Sequence, residues 1–308
     1  MRLRRLVLSA LALVLAGGAA NAAQKLTMNY TTGESATAFI AKDEGFFAKH
    51  GLNVDLVAVT QNSNAPAALE SGSVQVGMIQ IANLLQLTDG GLDFVALAGG
   101  AGNEKNVTKF AVVVRSGLNV KEAKDLIGKK VGVPGIGASI DIYFRNWLLN
   151  NNVEPTKVSI VETTFLAMAD NLKAGNLDAV TPLEPFISRI TSQKIGYELF
   201  NLIDLMPRPK VAALLFASTR DWATKNASTI PELRAAISEA DDFIRANPEK
   251  TRAAINKYTK VPLPILNSLP VPAVDPEIRK DDLDFWAGMM QRLNMLQNKP
   301  DTAKLIWK

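Results

Sequence analysis

The chain has 308 residues, of which 47% are hydrophobic, 21% are charged and none is cysteine, and its formal net charge is +4. A chain of this length buries enough apolar surface to fold without disulfides, and the absence of cysteine excludes both a lipid anchor and a cysteine-based zinc site. No segment combines lysine and arginine runs with aromatic residues, so nucleic-acid binding is not indicated.

The first 22 residues predict a cleaved secretory signal. Arg2, Arg4 and Arg5 precede an uncharged run over residues 6–16, and residues 20–22 (Ala-Asn-Ala) have the pattern of a cleavage site. The run is shorter than the ~20 apolar residues that a membrane span needs. We therefore predict cleavage after Ala22, a mature protein with a net charge of about +1 and no membrane-embedded segment, and retention in a periplasm.

The following residues alternate between strand and helix patterns. Residues 25–30 alternate between apolar and polar as a strand does, and residues 36–49 carry apolar residues at helical spacing. Further strands are predicted at 53–59, 74–79 and 93–98, and further helices at 64–70 and from 81 onward. This order is typical of a mostly parallel sheet with helices on its faces.

A strand at 109–115 is predicted to cross into a second unit, where the alternation resumes. Predicted helices at 120–127, 139–150 and 166–174 alternate with strands at 130–133, 158–161 and 179–182. An apolar run at 211–218 is interpreted as the return crossing, and helices follow at 231–246 and 283–296. The proline-rich stretch 262–276 is either an interdomain linker or, as its apolar residues favour, a segment packed on the surface.

One pattern occurs in both units. Residues 69–76 and 172–179 share the form Leu-x-[Ser/Ala]-Gly-[Ser/Asn]-[Val/Leu]-[Gln/Asp]-[Val/Ala], in which the glycine can end a helix before a strand. Two such joints predict two similar α/β lobes that face each other across a cleft. We assign residues 23–110 and 213–308 to lobe 1 and residues 111–212 to lobe 2, joined by two crossing segments.

Several segments in the right order also resemble one family. Residues 41–55, 125–134, 172–185 and 216–222 are similar to periplasmic substrate-binding proteins of ATP-driven (ABC) importers, in the branch for taurine, aliphatic sulfonates, nitrate and thiamine precursors. The resemblance implies the two-lobed type II periplasmic binding protein fold, an α/β class. It also implies a small-molecule ligand, a membrane permease with a cytoplasmic ATPase as partner, no cofactor, and a monomer.

Ligands of open α/β sheets bind beyond the carboxyl ends of the strands, which selects six loops here. Their polar and small residues are the candidate ligand contacts: Thr31, Thr32, Ser35, Asn62, Ser63, Asn64, Gln80 and Asn83 from lobe 1, and Gly137, Ala138, Ser139, Thr163, Thr164 and Glu184 from lobe 2. Ser35, Asn64 and Ser139 are equally well placed to cap helices.

The loop at 135–139 is the expected anion contact, because its glycines allow close approach and a helix begins there. The six loops contain no lysine or arginine, which favours a ligand bearing a sulfonate or carboxylate held at a helix terminus, with Glu184 available to an amine or a hydroxyl. Glu184 could instead form a surface salt bridge. Arg145, Arg208 or Arg220 could reach the cleft, and Phe165 or Tyr143 could line it or belong to the core.

Few residues could support catalysis. His50 is the only histidine and is interpreted as a solvated residue at a helix end, and no metal cluster is indicated. We therefore predict a binding protein rather than an enzyme. The alternatives are a sensor or scavenger protein, and an enzyme of thiamine-precursor metabolism on the same fold, whose cysteine-rich motif this chain lacks.

Overall fold

The structure is a computed structural model that describes residues 23–30, 35–58 and 65–308, so the predicted signal peptide lies outside the described residues. Its strands are β1 (Gln24–Tyr30), β2 (Leu52–Ala58), β3 (Val76–Gln80), β4 (Phe94–Gly99), β5 (Gly102–Glu104), β6 (Ala111–Arg115), β7 (Lys130–Val133), β8 (Ser159–Glu162), β9 (Ala179–Val180), β10 (Gly196–Asn201), β11 (Lys210–Ala212) and β12 (Leu214–Thr219).

The α-helices are α1 (Ala36–Asp43), α2 (Phe46–Lys49), α3 (Ala65–Glu70), α4 (Ile81–Asp89), α5 (Ser139–Asn150), α6 (Phe165–Lys173), α7 (Phe186–Ser192), α8 (Arg220–Lys225), α9 (Thr229–Ala246), α10 (Pro248–Thr259), α11 (Leu263–Asn267) and α12 (Lys280–Arg292). Among the described residues, no helix is both long and apolar enough to cross a membrane.

The first sheet has five strands in the order β2-β1-β3-β12-β4. β1 pairs in parallel with β2 and β3, as the sequence predicts, whereas β12 inserts between β3 and β4 and is antiparallel to both. The α/β class with helices on the sheet faces is confirmed. The sheet is mixed: β1, β2, β3 and β4 run in one direction, and β12, the strand that returns from the second unit, runs in the opposite one.

The second sheet has the order β10-β6-β9-β7-β8. β7 is parallel to β8 and β9, while β6 is antiparallel to β9 and β10. The sequence analysis did not predict β10 or α7. In β10 a register shift between Glu198 and Phe200 interrupts the period-two pattern that would identify a strand.

Three predicted elements are shorter or divided. The helix predicted at 36–49 is broken by Gly45, which has a φ of +78°, into α1 and α2. The helix predicted at 120–127 is a short 3-10 helix, Ala123–Leu126. The strand predicted at 211–218 is two strands: β11 pairs with β5 in a separate small sheet, and β12 belongs to the first sheet.

The crossing between the units is a small sheet. β5 pairs antiparallel with β11, and on its other side the proline-rich segment forms hydrogen bonds from Gly102 N–H to Ala273 O (2.9 Å) and from Asp275 N–H to Gly100 O (3.0 Å). This segment is therefore packed on the crossing and is not an interdomain linker. We propose to keep the predicted division into lobe 1 (residues 23–110 and 213–308) and lobe 2 (residues 111–212).

Gly99 is required where the proline-rich segment passes the end of β4. A Cβ atom on Gly99 would lie 2.2 Å from Asp275 O and 2.4 Å from Glu277 O, both of which are backbone atoms. We expect Gly99→Ala to lower the free energy of unfolding by about 1–3 kcal/mol, measured by urea denaturation. Gly288→Ala in α12 is the control, because its Cβ meets nothing within 4 Å, and we expect no loss of stability. Equal unfolding midpoints for Gly99→Ala and the wild type would contradict this expectation.

Candidate ligand-binding site

The two sheets meet through side chains at the carboxyl ends of their strands. Gln80 is the last residue of β3 and Ser139 is the first residue of α5, which follows β7. Ser139 Oγ donates a hydrogen bond to Gln80 Oε1 over 3.2 Å. Asn83, also a candidate, lies half-buried in the first turn of α4. The structure thus places candidate residues of lobe 1 and lobe 2 on opposite sides of one narrow gap.

Of the remaining lobe 1 candidates, only Ser35 lies in the part of the chain that the structure describes. Thr31, Thr32, Asn62, Ser63 and Asn64 lie outside the described residues, so their roles stay predictions. Ser35 is fully buried at the start of α1, and its carbonyl oxygen accepts a hydrogen bond from Phe39 N–H. Ser35 is therefore the N-cap residue of α1 by position, although its side chain forms no capping hydrogen bond.

The loop expected to hold an anion already has acidic partners. Gly137, with a φ of +78°, donates its N–H to Asp141 Oδ2 (2.8 Å), and Ile136 donates its N–H to Glu162 Oε2 (3.3 Å). Ala138 is the N-cap residue of α5. Asp141 is buried, and its two carboxylate oxygens share the single Nε–H of Arg145, at 2.8 and 2.9 Å. Two backbone donors of this loop are thus bonded to carboxylates of the chain itself.

The sequence analysis missed Asp141 and Glu162. Asp141 stands in the first turn of α5, four residues after Gly137, a position from which an acid commonly accepts N–H groups at the start of a helix. That spacing is a signal that the sequence contains. Glu162 ends β8, and its approach to Ile136 depends on the pairing of β7 with β8, which the sequence does not specify.

The other lobe 2 candidates occupy the same edge of the sheet. Thr163 is half-buried, and its Oγ1 accepts a weak hydrogen bond from Asn171 Nδ2 (3.4 Å); Thr164 is exposed and is the N-cap residue of α6. Glu184 Oε2 accepts a hydrogen bond from Ser188 N–H (3.1 Å), and the Glu184–Pro185 peptide bond is cis. Among the described residues Glu184 has no ion pair, and Lys109, which lines a cavity together with Glu184, is paired with Glu198 at 2.7 Å.

Three arginines considered for the cleft are paired elsewhere. Arg145 binds Asp141, Arg208 binds Asp282, and Arg220 binds Asp93 at 2.8 Å. None of these partners lies in the six loops. Through Asp141, which also accepts the N–H of Gly137, Arg145 is nevertheless joined to the loop at 135–139.

The two aromatic candidates have different positions. Tyr143 is fully buried in the core, where burial raises the pKa of its hydroxyl group and Asn103 Nδ2 donates to its oxygen (3.4 Å). Phe165 is half-buried and stacks on Phe186, with ring centroids 5.5 Å apart. Phe165 directly follows Thr164 in one of the candidate loops.

A cavity of about 200 Å³ lies between the crossing and lobe 2. Its walls come from the crossing segments near Gly102 and Phe110, from Leu183 and Glu184, and from the proline-rich segment around Val271. Glu184 is the candidate residue that borders this cavity.

His50 is not a solvated residue, contrary to the interpretation from the sequence. Its side chain is 18% exposed and lies between Glu232 (3.2 Å) and Glu239 (2.9 Å) of α9. Hydrogen bonds from Lys49 and then from His50 hold the pKa of Glu239 below its ordinary value. Within the described residues no group of three or more histidine and acidic side chains is arranged to hold a metal ion.

Comparison with known proteins gives relatives over most of the chain. The chain is 29% identical over 230 residues to a Brucella abortus protein named as a binding protein, covering 74% of this chain and 69% of that protein. It is 25% identical over 229 residues to the nitrate/nitrite binding protein NrtA of a Nostoc species, covering 68% of this chain and 51% of NrtA.

Solved structures show the same fold. The periplasmic aliphatic sulphonate binding protein SsuA of Escherichia coli superposes with a TM-score of 0.75 at 21% identity, covering 92% of this chain and 97% of SsuA. The periplasmic binding protein fold predicted from the resemblance is thereby confirmed. The family described as NMT1/THI5 like matches residues 32–251, which is more than half of the chain. The chain therefore belongs to the NMT1/THI5-like family.

Proposed function

We propose that this chain is the periplasmic solute-binding component of an ABC importer, which captures a small organic molecule between its lobes and delivers it to a membrane permease. The observation that carries the proposal is the Ser139–Gln80 hydrogen bond, because it joins the strand-end loops of two separate sheets across one gap. A ligand in this gap would contact both sheets, and closure about the β5–β11 crossing would then be coupled to binding.

The relatives support this role. NrtA is named for binding nitrate and nitrite and SsuA for binding aliphatic sulphonates. By extension we propose that this chain is not an enzyme, that its partners are a permease and its cytoplasmic ATPase, and that it acts as a monomer. A ligand bearing a sulfonate or carboxylate is the class that the sequence resemblance favours.

The proposed location follows from the same family. Relatives that are described as periplasmic support a periplasmic protein, exported by a signal peptide cleaved after Ala22. A sensor or scavenger role is the second candidate on the same fold. An adjacent permease and ATPase gene would support import, and an adjacent sensor-kinase gene would support signalling.

The proposal predicts ligand-driven compaction. We expect a thermal-shift screen of small organic solutes on the mature protein, residues 23–308, to give at least one stabilising compound. Titration calorimetry should then show saturable binding, and X-ray scattering should show a smaller radius of gyration with that compound than without it. A library without any stabilising compound, or saturable binding without compaction, would count against solute capture between the lobes.

A further inference from the structure

One helix of lobe 2, α5, packs directly against α12 of lobe 1. Tyr143 of α5 is fully buried, and its ring lies 5.4 Å from that of Trp286 and 6.1 Å from that of Phe285, both in α12. One turn later the buried Asn146 donates a hydrogen bond through Nδ2 to Met289 O of α12 over 3.2 Å. We call the contact formed by Tyr143, Asn146, Trp286 and Met289 the pivot contact.

Opening the pivot contact would expose apolar rings and leave a backbone group unpaired. Tyrosine and tryptophan side chains bury about 150–250 Å² each, so separating α5 from α12 would return the rings of Tyr143 and Trp286 to water. Met289 lies in the last turn of α12, where carbonyl groups lack partners within the helix, and Leu293 N–H donates to Met290 O instead. Asn146 therefore supplies from lobe 2 a hydrogen bond that α12 does not provide.

Helix α12 also holds the crossing between the lobes. Ala212 of β11 donates its N–H to Asp282 Oδ1 over 3.0 Å, and its carbonyl oxygen accepts the Nε1–H of Trp286 over 2.7 Å. Asp282 is fully buried and is also paired with Arg208. The crossing, α12 and the pivot contact are thus connected side by side, and lobe 2 can rotate about them without breaking these bonds.

The helices α6 and α7 lie on the opposite face of the second sheet from α5. Along β6, Val113 packs in a buried cluster with Met168 of α6 and Ile190 of α7. The next residue, Val114, packs in the cluster that contains Tyr143. Within the described residues, the first cluster draws all its members from lobe 2, whereas the second continues into lobe 1. The two faces of lobe 2 are therefore attached to lobe 1 unequally.

The candidate ligand contacts of lobe 2 are divided between these two faces. Ser139, at the start of α5, donates a hydrogen bond to Gln80 of lobe 1. Thr164 is the N-cap residue of α6, and Glu184 accepts a hydrogen bond from Ser188 N–H of α7. Ser139 thus belongs to the helix of the pivot contact, and Thr164 and Glu184 belong to the helices of the other face.

We propose that lobe 2 turns on the pivot contact, so that the cleft opens and closes on the side of α6 and α7 while α5 stays packed on α12. On closure Thr164 and Glu184 approach lobe 1, whereas Ser139 moves little. A ligand therefore enters from the side of α6 and α7. This inference rests on the proposed function, in which capture of a solute closes the cleft.

Paired spin labels test the rotation directly, because the chain has no cysteine and two introduced cysteines are its only thiols. One pair spans the pivot contact, with Asn150→Cys at the end of α5 and Arg292→Cys at the end of α12. The other joins the lobes on the side of α6, with Ala67→Cys in α3 and Asp170→Cys in α6. All four residues are exposed.

The measurement is double electron–electron resonance on the mature protein, residues 23–308, unfolded and refolded to remove any copurified ligand. We expect the distance distribution of the α3–α6 pair to be about twofold broader than that of the α5–α12 pair, because only the former joins parts that move apart. No ligand has to be identified for this comparison.

Tyr143→Leu tests the pivot contact, and Phe144→Leu is its matched control. Both rings are fully buried in α5, but Tyr143 contacts α12, whereas Phe144 has its ring contact with Trp147 of its own helix, 6.0 Å away. We expect Tyr143→Leu to broaden the α5–α12 distribution about twofold and Phe144→Leu to leave it unchanged, although both substitutions destabilise the fold. Asn146→Ala, which removes the hydrogen bond to Met289 O, should broaden the same distribution and replaces Tyr143→Leu if that variant does not fold.

Three results would overturn the inference. An α5–α12 distribution as broad as the α3–α6 distribution would show that the lobes separate at α5. Narrow distributions for both pairs would show that lobe 2 does not turn in the free protein, and equal α5–α12 widths in the two leucine variants would remove Tyr143 from the pivot. Each of these results leaves solute capture to the separate screen, whereas a failed screen together with the expected distances would remove solute capture and leave the pivot standing.

Discussion

Asp241→Asn is expected to stabilise the protein at pH 8 and to leave its stability nearly unchanged at pH 4. Asp241 lies in α9, is fully buried and accepts a hydrogen bond from Thr37 Oγ1 over 2.6 Å. Its second oxygen, Oδ2, has no hydrogen-bond partner among the described residues. Burial raises the pKa of this carboxyl group from 3.8 to about 7, against smaller lowering effects of Thr37, Arg245 and Lys210.

The direction of this pH dependence is set by the difference in bound protons between the folded and unfolded states. Between pH 3.8 and about 7 the folded protein retains a proton on Asp241 that the unfolded chain has released, so rising pH favours unfolding. A pKa that rises from 3.8 to about 7 corresponds to a loss of up to about 4 kcal/mol, complete above pH 7. Asparagine has the shape of the protonated acid and does not ionise, so its stability lacks this loss.

Asp275, a charged neighbour of Asp241, affects the pH dependence of stability in the opposite direction. Burial raises the pKa of Asp275, but its hydrogen bonds from Arg279 and Glu277 N–H outweigh that effect and hold the pKa below its ordinary value. Asp275 therefore gains stability as the pH rises, which is opposite to Asp241. Because Asp275 is present in both proteins, the difference between wild type and Asp241→Asn removes most of its contribution.

The measurement is urea denaturation of both proteins between pH 4 and pH 8. We expect the difference in unfolding free energy to increase from near zero to as much as about 4 kcal/mol, with most of the increase below pH 7. Asp242→Asn is the matched control, because Asp242 is adjacent on α9 and its side chain is 74% exposed. A constant difference across this pH range would show that Asp241 is ionised in the folded protein throughout.

Much of the fold is predictable because it depends on local patterns. Periodicity identifies α5 with the observed bounds and β7 to the residue, and the positive φ values of Gly72 and Gly175 agree with helix-ending glycines in the repeated joint. These features depend on residues that are close in sequence. They can therefore be inferred without knowing how the sheets are assembled.

The order of the sheets depends on long-range pairing and is less predictable. The chain returns from the second unit through β11, which pairs with β5, and then enters the first sheet as β12. The sequence shows one apolar run here, so it does not reveal that β11 and β12 are separated at Ala213. The mixed direction of both sheets follows from these returns. A pattern of hydrophobic residues does not encode which strand lies next to which.

The candidate site, like the sheet order, is only partly predictable from the sequence. The rule that ligands bind beyond the carboxyl ends of strands selected Gln80 and Ser139, because it depends only on strand direction. The structure places these two side chains in contact. The rule did not identify Asp141 and Glu162 as partners of the loop at 135–139, because those contacts depend on side-chain positions in the assembled lobe. The glycines of a loop indicate where a ligand can approach, and the neighbouring carboxylates influence which charge it can carry.

Trp286→Ala is expected to cause the largest loss of stability among single substitutions in α12. Trp286 is fully buried, and its ring lies 5.4 Å from the ring of Tyr143 in α5 of lobe 2 and 6.0 Å from that of Phe285. Its Nε1–H donates to Ala212 O of β11 over 2.7 Å. One side chain therefore joins α12, the crossing and lobe 2.

Removing this side chain leaves a large cavity and an unpaired carbonyl oxygen at the crossing. We expect Trp286→Ala to lower the free energy of unfolding by about 3–5 kcal/mol in urea denaturation. Trp286→Phe retains an aromatic ring but not the Nε1–H donor, so we expect a smaller loss of about 1–3 kcal/mol. Trp307→Ala is the control, because Trp307 is only partly buried and its backbone N–H bond to Ala96 O does not depend on the side chain. Equal losses for Trp286→Ala and Trp307→Ala would show that the contact between α12, the crossing and α5 contributes no more to stability than an ordinary peripheral tryptophan.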